Sequence, residues 1–317
     1  MDLLISSLVV VLLFTIFMWW NRPGRCQSSA RLNGKTVIVT GANTGIGKET
    51  TNNLINRGAT VIMACRDLVK GNQAADDIKV STGNSDRVHV RKLDLGSMKS
   101  IREFAESFLK EFPNLHILIN NAGIMMCPYT LTEDGFEQQF GVNHLGHFAL
   151  TNLLLPRIKE SGPGGRIVNL SSVGHKLVAY FDMDDLLWEK NTYNDVKSYG
   201  QSKLCNVLFT KELHRRLIDN GISSYSVHPG AVATELMRHT RLLTFLYKVA
   251  GRFYFKTPEE GAQTSIHCAV QEGLESLSGE YFADCAMQKS HKWTYDVDKA
   301  KQLWDVSEKL TGIKYPF

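Results

Sequence analysis

From Thr36 onward the chain alternates short, nearly continuous apolar runs with amphipathic stretches, and few folds accommodate that order. Thr36-Val37-Ile38-Val39-Thr40 reads as a strand, a glycine-punctuated turn comes next, and a helix runs on through Asn56. Further strand-like runs lie at 59–64, 88–95, 115–120, 166–170 and 223–227, with helical patterns at 98–112, 136–158 and 198–219 among them. Strands that are apolar on both faces and alternate with helices belong in a parallel sheet covered on both sides. The expected fold class is α/β, a doubly wound parallel sheet forming one domain over 35–317, because no repeat or low-complexity linker divides it.

The first strand runs into Thr40-Gly41-Ala42-Asn43-Thr44-Gly45-Ile46-Gly47. Glycines here permit a tight turn and let the backbone approach a pyrophosphate seated on the helix N-terminus. The spacing is GxxxGxG, not the GxGxxG of two-domain dehydrogenases. The third strand ends in Leu93-Asp94-Leu95, where an acid can bond an adenine edge. The fourth ends in Asn120-Asn121-Ala122-Gly123, whose small residues leave room for a cofactor.

Tyr199-Gly200-Gln201-Ser202-Lys203 is expected to open a helix, with Tyr199 and Lys203 stacked on one face by their i, i+4 spacing. A phenol with a pKa near 10 is a poor base at neutral pH, so a nearby cation is needed to stabilise the phenolate. Lys203 supplies one, which makes Tyr199 a workable acid/base.

TGxxxGxG followed by NNAG resembles the short-chain dehydrogenase/reductase family, and the likeness covers the chain after Leu32. It implies a Rossmann fold and hydride transfer with a nicotinamide cofactor held by Gly41, Asn43, Thr44, Gly45, Ile46, Gly47, Asp94, Leu95, Asn121, Ala122 and Gly123. In Asn169-Leu170-Ser171-Ser172 the second serine, Ser172, would bind the substrate oxygen together with Tyr199, and Lys203 would also bind the nicotinamide ribose. In Val142-Asn143-His144-Leu145-Gly146-His147-Phe148, Asn143 matches the family residue that holds a water of the proton relay. His228-Pro229-Gly230-Ala231-Val232-Ala233-Thr234 matches PGxVxT; Pro229 and Gly230 shape that turn, and the Val232 backbone and Thr234 hydroxyl would anchor the carboxamide. Cofactor choice turns on the end of the second strand, Met63-Ala64-Cys65-Arg66-Asp67. An arginine there accommodates a 2′-phosphate and an acid favours ribose hydroxyls; Arg66 points to NADP, and adjacent Asp67 leaves NAD open.

The long piece from Gly174 to Lys197, the Met63–Asp67 segment, HPG at 228–230 and Thr257-Pro258-Glu259-Glu260-Gly261-Ala262-Gln263-Thr264 are similar to the microsomal retinol dehydrogenase group. That resemblance implies a lipophilic substrate, retinol or retinal, with reduction favoured by NADPH. A broader lipid aldehyde or steroid carbonyl reductase, or an NADP-binding lipid-droplet protein without turnover, are the other readings. Residues 235–256 are rich in apolar, aromatic and basic side chains and match the family's substrate lid; a helix packed on the core is the plainer reading.

Leu3 to Trp20 carries no charge and ends in Trp19-Trp20, with Arg22, Arg25 and Arg31 behind it. Length, interfacial tryptophans and downstream positive charge describe a membrane anchor over 1–21 and a juxtamembrane linker over 22–34, with the catalytic domain facing the cytosol. A shallow insertion or a cleaved signal are alternatives. The endoplasmic reticulum is the default address for such an anchor, with lipid droplets as a second location. The six cysteines show no CxxC or metal-ligand spacing, so no metal is expected, and a net charge of +4 without a dense basic block gives no support for nucleic acid. A homo-oligomer is left open.

Overall fold

The structure is a computed structural model that describes residues 24–232 and 255–317. The expected anchor 1–21, Thr234 and the expected lid apart from Phe255 and Lys256 lie outside the described residues. Among the described residues no helix is long and apolar enough to cross a membrane.

The strands are β1 (Thr36–Thr40), β2 (Thr60–Cys65), β3 (Val88–Lys92), β4 (Ile117–Asn120), β5 (Gly165–Leu170), β6 (Ile222–His228), β7 (Tyr281–Ala283) and β8 (Ala286–Gln288). They form one eight-stranded sheet in the order β3-β2-β1-β4-β5-β6-β7-β8. Every pairing is parallel except β7 with β8, so the sheet expected to be parallel throughout has an antiparallel edge. The order reverses between β1 and β4, and ligands bind open α/β sheets outside the strands' carboxyl ends at such a switch point.

The helices are α1 (Gly45–Asn56), α2 (Leu68–Thr82), α3 (Met98–Glu111), α4 (Gly146–Glu160), α5 (Asp195–Leu217), α6 (Pro258–Val270) and α7 (Val297–Thr311). Alternation along β1 shows why both layers are needed. Val37 and Val39 enter one buried cluster with Leu54, Ile78 and Ile266 of α1, α2 and α6. Ile38, between them, enters the opposite cluster with Phe104, Phe148, Leu213 and Trp304 of α3, α4, α5 and α7. A strand sandwiched in this way has no solvent face, which accounts for its unbroken apolar run.

Two elements depart from the sequence expectation. The 136–158 pattern is not one helix: a short turn Gln138–Phe140 leads into a π-helical turn, Gly141–Leu145, before α4. α5 starts at Asp195, capped by the Asn194 side chain, so Tyr199 sits in the second turn and not at the opening. The Gly174–Lys197 stretch is packed, with Val178, Phe181 and Leu186 in a third cluster alongside Phe136, Phe140, Leu204 and Leu208. Within it the Asp185 carboxylate accepts the N–H groups of Glu189, Lys190 and Asn191 at 2.7–3.1 Å.

Residues 24–34 are laid along the domain. The Arg57 guanidinium donates to the Ser28 and Ala30 carbonyls at 2.9 Å each, and the Ser28 hydroxyl donates to the Val270 carbonyl. All six cysteines are free thiols, yet Cys26, Cys268 and Cys285 are not scattered in space: they gather between α6 and the β7–β8 turn. Burial first, then the neighbouring thiols, raise the Cys268 and Cys285 pKa values, the latter to about 11. Such thiols are poor nucleophiles at neutral pH.

Candidate active site

A cavity of about 270 Å³ opens at the switch point. Gly41, Asn43, Thr44, Gly45, Ile46 and Gly47 line it from the β1–α1 turn, and Asn121, Ala122 and Gly123 from the end of β4. Arg66 closes one end, with Asp94 and Leu95 along the side; Tyr199, Lys203 and Pro229 stand at the other. Fifteen residues expected on sequence grounds thus meet in one cleft. Ser172, Asn143, Gly230 and Val232 are not part of its lining.

The cradle is shaped for a backbone-hugging ligand. Gly41 and Gly45 have φ of 64° and 54°, which disfavours any residue with a side chain. An ideal Cβ on Gly47 would lie 2.3 Å from the Gly41 carbonyl oxygen and 2.6 Å from Asn121 Nδ2. One on Gly123 would come within 3.1 Å of Asn143 Oδ1 and 3.3 Å of Lys203 Nζ. Thr44, the N-cap of α1, makes no side-chain capping bond, so first-turn N–H groups remain for an anion. The glycine turn, its closeness to β4 and the bare helix N-terminus fit a dinucleotide's pyrophosphate.

At the β2 end, Arg66 and Asp67 play different parts. The Asp67 carboxylate caps α2, accepting the Lys70 N–H at 3.1 Å. Lys92 Nζ donates to the Arg66 carbonyl at 2.5 Å. Asp94, expected at the adenine edge, accepts the Gly96 N–H at 2.9 Å through Oδ1.

At the other end, Tyr199 is buried, and burial raises its pKa while a hydrogen bond with the Ser172 side chain works the other way. Ser172 caps the 3-10 turn Val173–Leu177, its Oγ accepting the Gly174 N–H at 3.1 Å. The neighbouring Ser171 hydroxyl is spent on the Lys203 carbonyl at 2.7 Å. Lys203 Nζ donates to the Leu170 carbonyl at 3.3 Å and lies 5.7 Å from the Tyr199 ring centroid; burial pushes its pKa down to about 8.

Asn143 lies in the π-helical turn, a distortion that recurs at functional sites. Its amide grips the chain after β4, Oδ1 accepting the Ile124 N–H at 2.9 Å and Nδ2 donating to the Ile124 carbonyl at 3.0 Å. Nδ2 also donates to Ser202 Oγ at 3.0 Å, so both amide hydrogens are used.

His147 connects this group to the glycine turn, a link that its sequence spacing does not reveal. Its Nδ1 lies 3.0 Å from the Asn143 carbonyl and its Nε2 2.9 Å from Thr40 Oγ1. A carbonyl only accepts, so Nδ1 carries the proton and Nε2 accepts from Thr40. Burial holds the His147 pKa at about 4, and the ring is neutral. Thr40 Oγ1 in turn accepts the N–H groups of Asn121 and Ala122 at 2.9 Å each. Asn169, which begins an Asn-Leu-Ser sequon, is buried in β5, its side chain bonded to Asn120 and Thr210.

The short chain dehydrogenase family pattern matches residues 35–183. Human retinol dehydrogenase 12 is 54% identical over 292 residues, covering 92% of this chain and 91% of that protein. Human retinol dehydrogenase 11 is 50% identical over 318 residues, covering 98% of each. The chain belongs to the retinol dehydrogenase group of the short-chain dehydrogenases. Among solved structures, an uncharacterised protein from Mycobacterium paratuberculosis superimposes with a TM-score of 0.75 at 36% identity, covering 93% of this chain and all of that one. Membership makes this short-chain dehydrogenase an oxidoreductase.

Proposed function

We propose that the protein is an NADP(H)-dependent enzyme interconverting retinol and retinal, working chiefly as a retinal reductase. The observation that carries the reading is the single cleft running from Arg66, past the glycine turn, to Tyr199 and Lys203. The names of the relatives supply the substrate class. For the cofactor, Arg66, Asp67 and Lys70 all line this end of the cleft, and Oδ1 of Asp67 is held by the Lys70 N–H as the cap of α2. A carboxylate with one oxygen held by a cap has less to offer ribose hydroxyls, and two flanking cations suit a 2′-phosphate.

When bound, the cofactor supplies the hydride. Gly41 to Gly47 and the α1 N-terminus would hold its pyrophosphate, and the Pro229–Val232 turn its nicotinamide end, with the Thr234 hydroxyl as the family motif implies. Ser172 and Tyr199 would orient the substrate oxygen. Burial keeps the Tyr199 proton in place at neutral pH, which suits protonating a carbonyl oxygen as it becomes an alcohol. Lys203, in its charged form, supports the phenolate left behind, and the proton path to solvent passes Asn143. Leu3 to Trp20 would anchor the chain in the endoplasmic reticulum membrane with the cleft facing the cytosol, delivering a lipophilic substrate by way of the bilayer.

The test is reduction by microsomes expressing the chain, with retinal and nonanal as substrates and NADPH and NADH in parallel. Retinal with NADPH is the expected best pair; nonanal reduced well and retinal not at all would replace the retinoid reading with a lipid aldehyde reductase. The same assay has an expected pH profile. Lys203 loses its charge as pH rises through about 8, so kcat/KM for retinal reduction is flat below that value and falls above it. A Lys203→Met variant has low activity without that alkaline limb.

A further inference from the structure

In the proposed function the turn after β6 carries the nicotinamide end of the cofactor, and the role inferred for Lys256 rests on that function. A single distant residue, Lys256, grips this turn in three ways. Its N–H donates to the Ala231 carbonyl at 2.8 Å, alongside a parallel bridge to Val232. Its Nζ donates to the Pro229 carbonyl at 3.3 Å. Its stem fills the space beside Gly230, with Cδ and Cε only 2.7 Å from an ideal Cβ there. Gly230 has φ of 94°, so backbone conformation and the lysine stem both exclude a side chain at that position.

The ammonium is itself fastened. Asp284, at positive φ in the turn between β7 and β8, accepts it at 2.5 Å, and the same Oδ1 accepts the Gly24 N–H at 3.3 Å. The Lys256 side chain is 16% exposed and that of Asp284 57%. An ion pair this open contributes little stability by itself. Its consequence is geometric: it fixes where the lysine nitrogen sits over the Pro229 carbonyl. The neighbouring His228 brings no competing charge, since burial foremost and the Lys256 ammonium next hold its pKa at about 4, and its Nδ1 accepts the Val173 N–H at 3.2 Å.

We propose that Lys256, held by Asp284, is a positioning residue that sets the Pro229–Val232 turn for the nicotinamide carboxamide. Among the described residues the turn after β6 has no sheet partner along this stretch apart from the bridge at Val232; the Val232 side chain packs on Gly261 of α6, and the Pro229–Gly230 part is held by the Lys256 side chain. Small misplacements of a reacting group cost rate steeply, because hydride transfer needs a close and aligned approach. The loss of the clamp therefore falls on turnover more than on folding. Gly24 shares this fastening point through its N–H.

The test uses the purified full-length chain in nanodiscs with retinal and NADPH. Lys256→Met keeps the stem against Gly230 and the N–H to Ala231, and removes only the ammonium. The expected result is about a tenfold lower kcat and a larger primary deuterium isotope effect with NADPH deuterated at the transferred position, at unchanged Tm. Asp284→Asn acts in the same direction more weakly, and the double variant is no worse than Lys256→Met alone. Amide exchange at Gly230 to Val232 speeds up in each variant. Lys256→Met with wild-type kcat and isotope effect overturns the proposal, as does a lowered Tm with an unchanged isotope effect. Wild-type chain that reduces no retinal refutes the functional reading instead; amide exchange still decides the clamp, and unchanged exchange overturns it.

Discussion

Replacing Tyr199 with Phe lowers retinal reduction by at least ~10³-fold and leaves NADPH binding intact, at the upper part of the range for removing a general acid. The size of the effect comes from the surroundings of the hydroxyl. Ser172 is the side chain hydrogen-bonded to it, while Lys203 acts on the phenolate only through its charge, and Ser172 keeps its own bond to the Gly174 N–H when the phenol is gone. Lys203 cannot substitute, because its ammonium is turned to the Leu170 carbonyl at 3.3 Å. The ring stays packed beside Gly174, so the fold survives. Turnover is measured as retinol formed, and binding by the change in NADPH fluorescence. A variant that turns over within tenfold of wild type would remove Tyr199 from the chemistry. Loss of NADPH binding together with turnover would make it part of the cradle and not the acid.

Much of this was legible in the sequence for local reasons. The strands β1 to β6 declare themselves because both of their faces are buried, as Ile38 shows between Val37 and Val39. The glycine turn and the Tyr199–Lys203 pair each depend on residues within one or two turns of each other. The edge was harder to see. β7 and β8 are three residues each, and β8 is wholly exposed, so neither leaves a periodic pattern. The π-helical turn is invisible to a helical period, which differs from it by one residue inside a longer run. The partner that fixes a side chain's role left no sequence trace. Asp67 beside Arg66 suggests a ribose ligand, and only the start of α2 one residue later turns it into a cap. Lys256 and Asp284 are 28 positions apart and meet only because β7 pairs with β6.

Arg66→Ala is the second large effect, and it separates cofactor choice from catalysis. The ratio of kcat/KM with NADPH to that with NADH falls by about 10- to 50-fold, the range of losing one charge-assisted hydrogen bond at an open position. The loss lies in KM for NADPH, since Arg66 stands at the far end of the cleft from Tyr199. Kinetics with NADH stay near those of wild type. Asp67→Asn is the informative companion. If Asp67 held the ribose hydroxyls of NAD, that variant would weaken NADH use. Because its carboxylate instead caps α2 at the Lys70 N–H, and asparagine caps about as well, the expected result is a nearly unchanged Tm and an unchanged cofactor ratio. An Arg66→Ala enzyme that keeps its full preference for NADPH would move phosphate recognition away from Arg66. The remaining cations at that end, Lys70 in the cleft wall and Lys92 on the Arg66 carbonyl, would then be the residues to replace next.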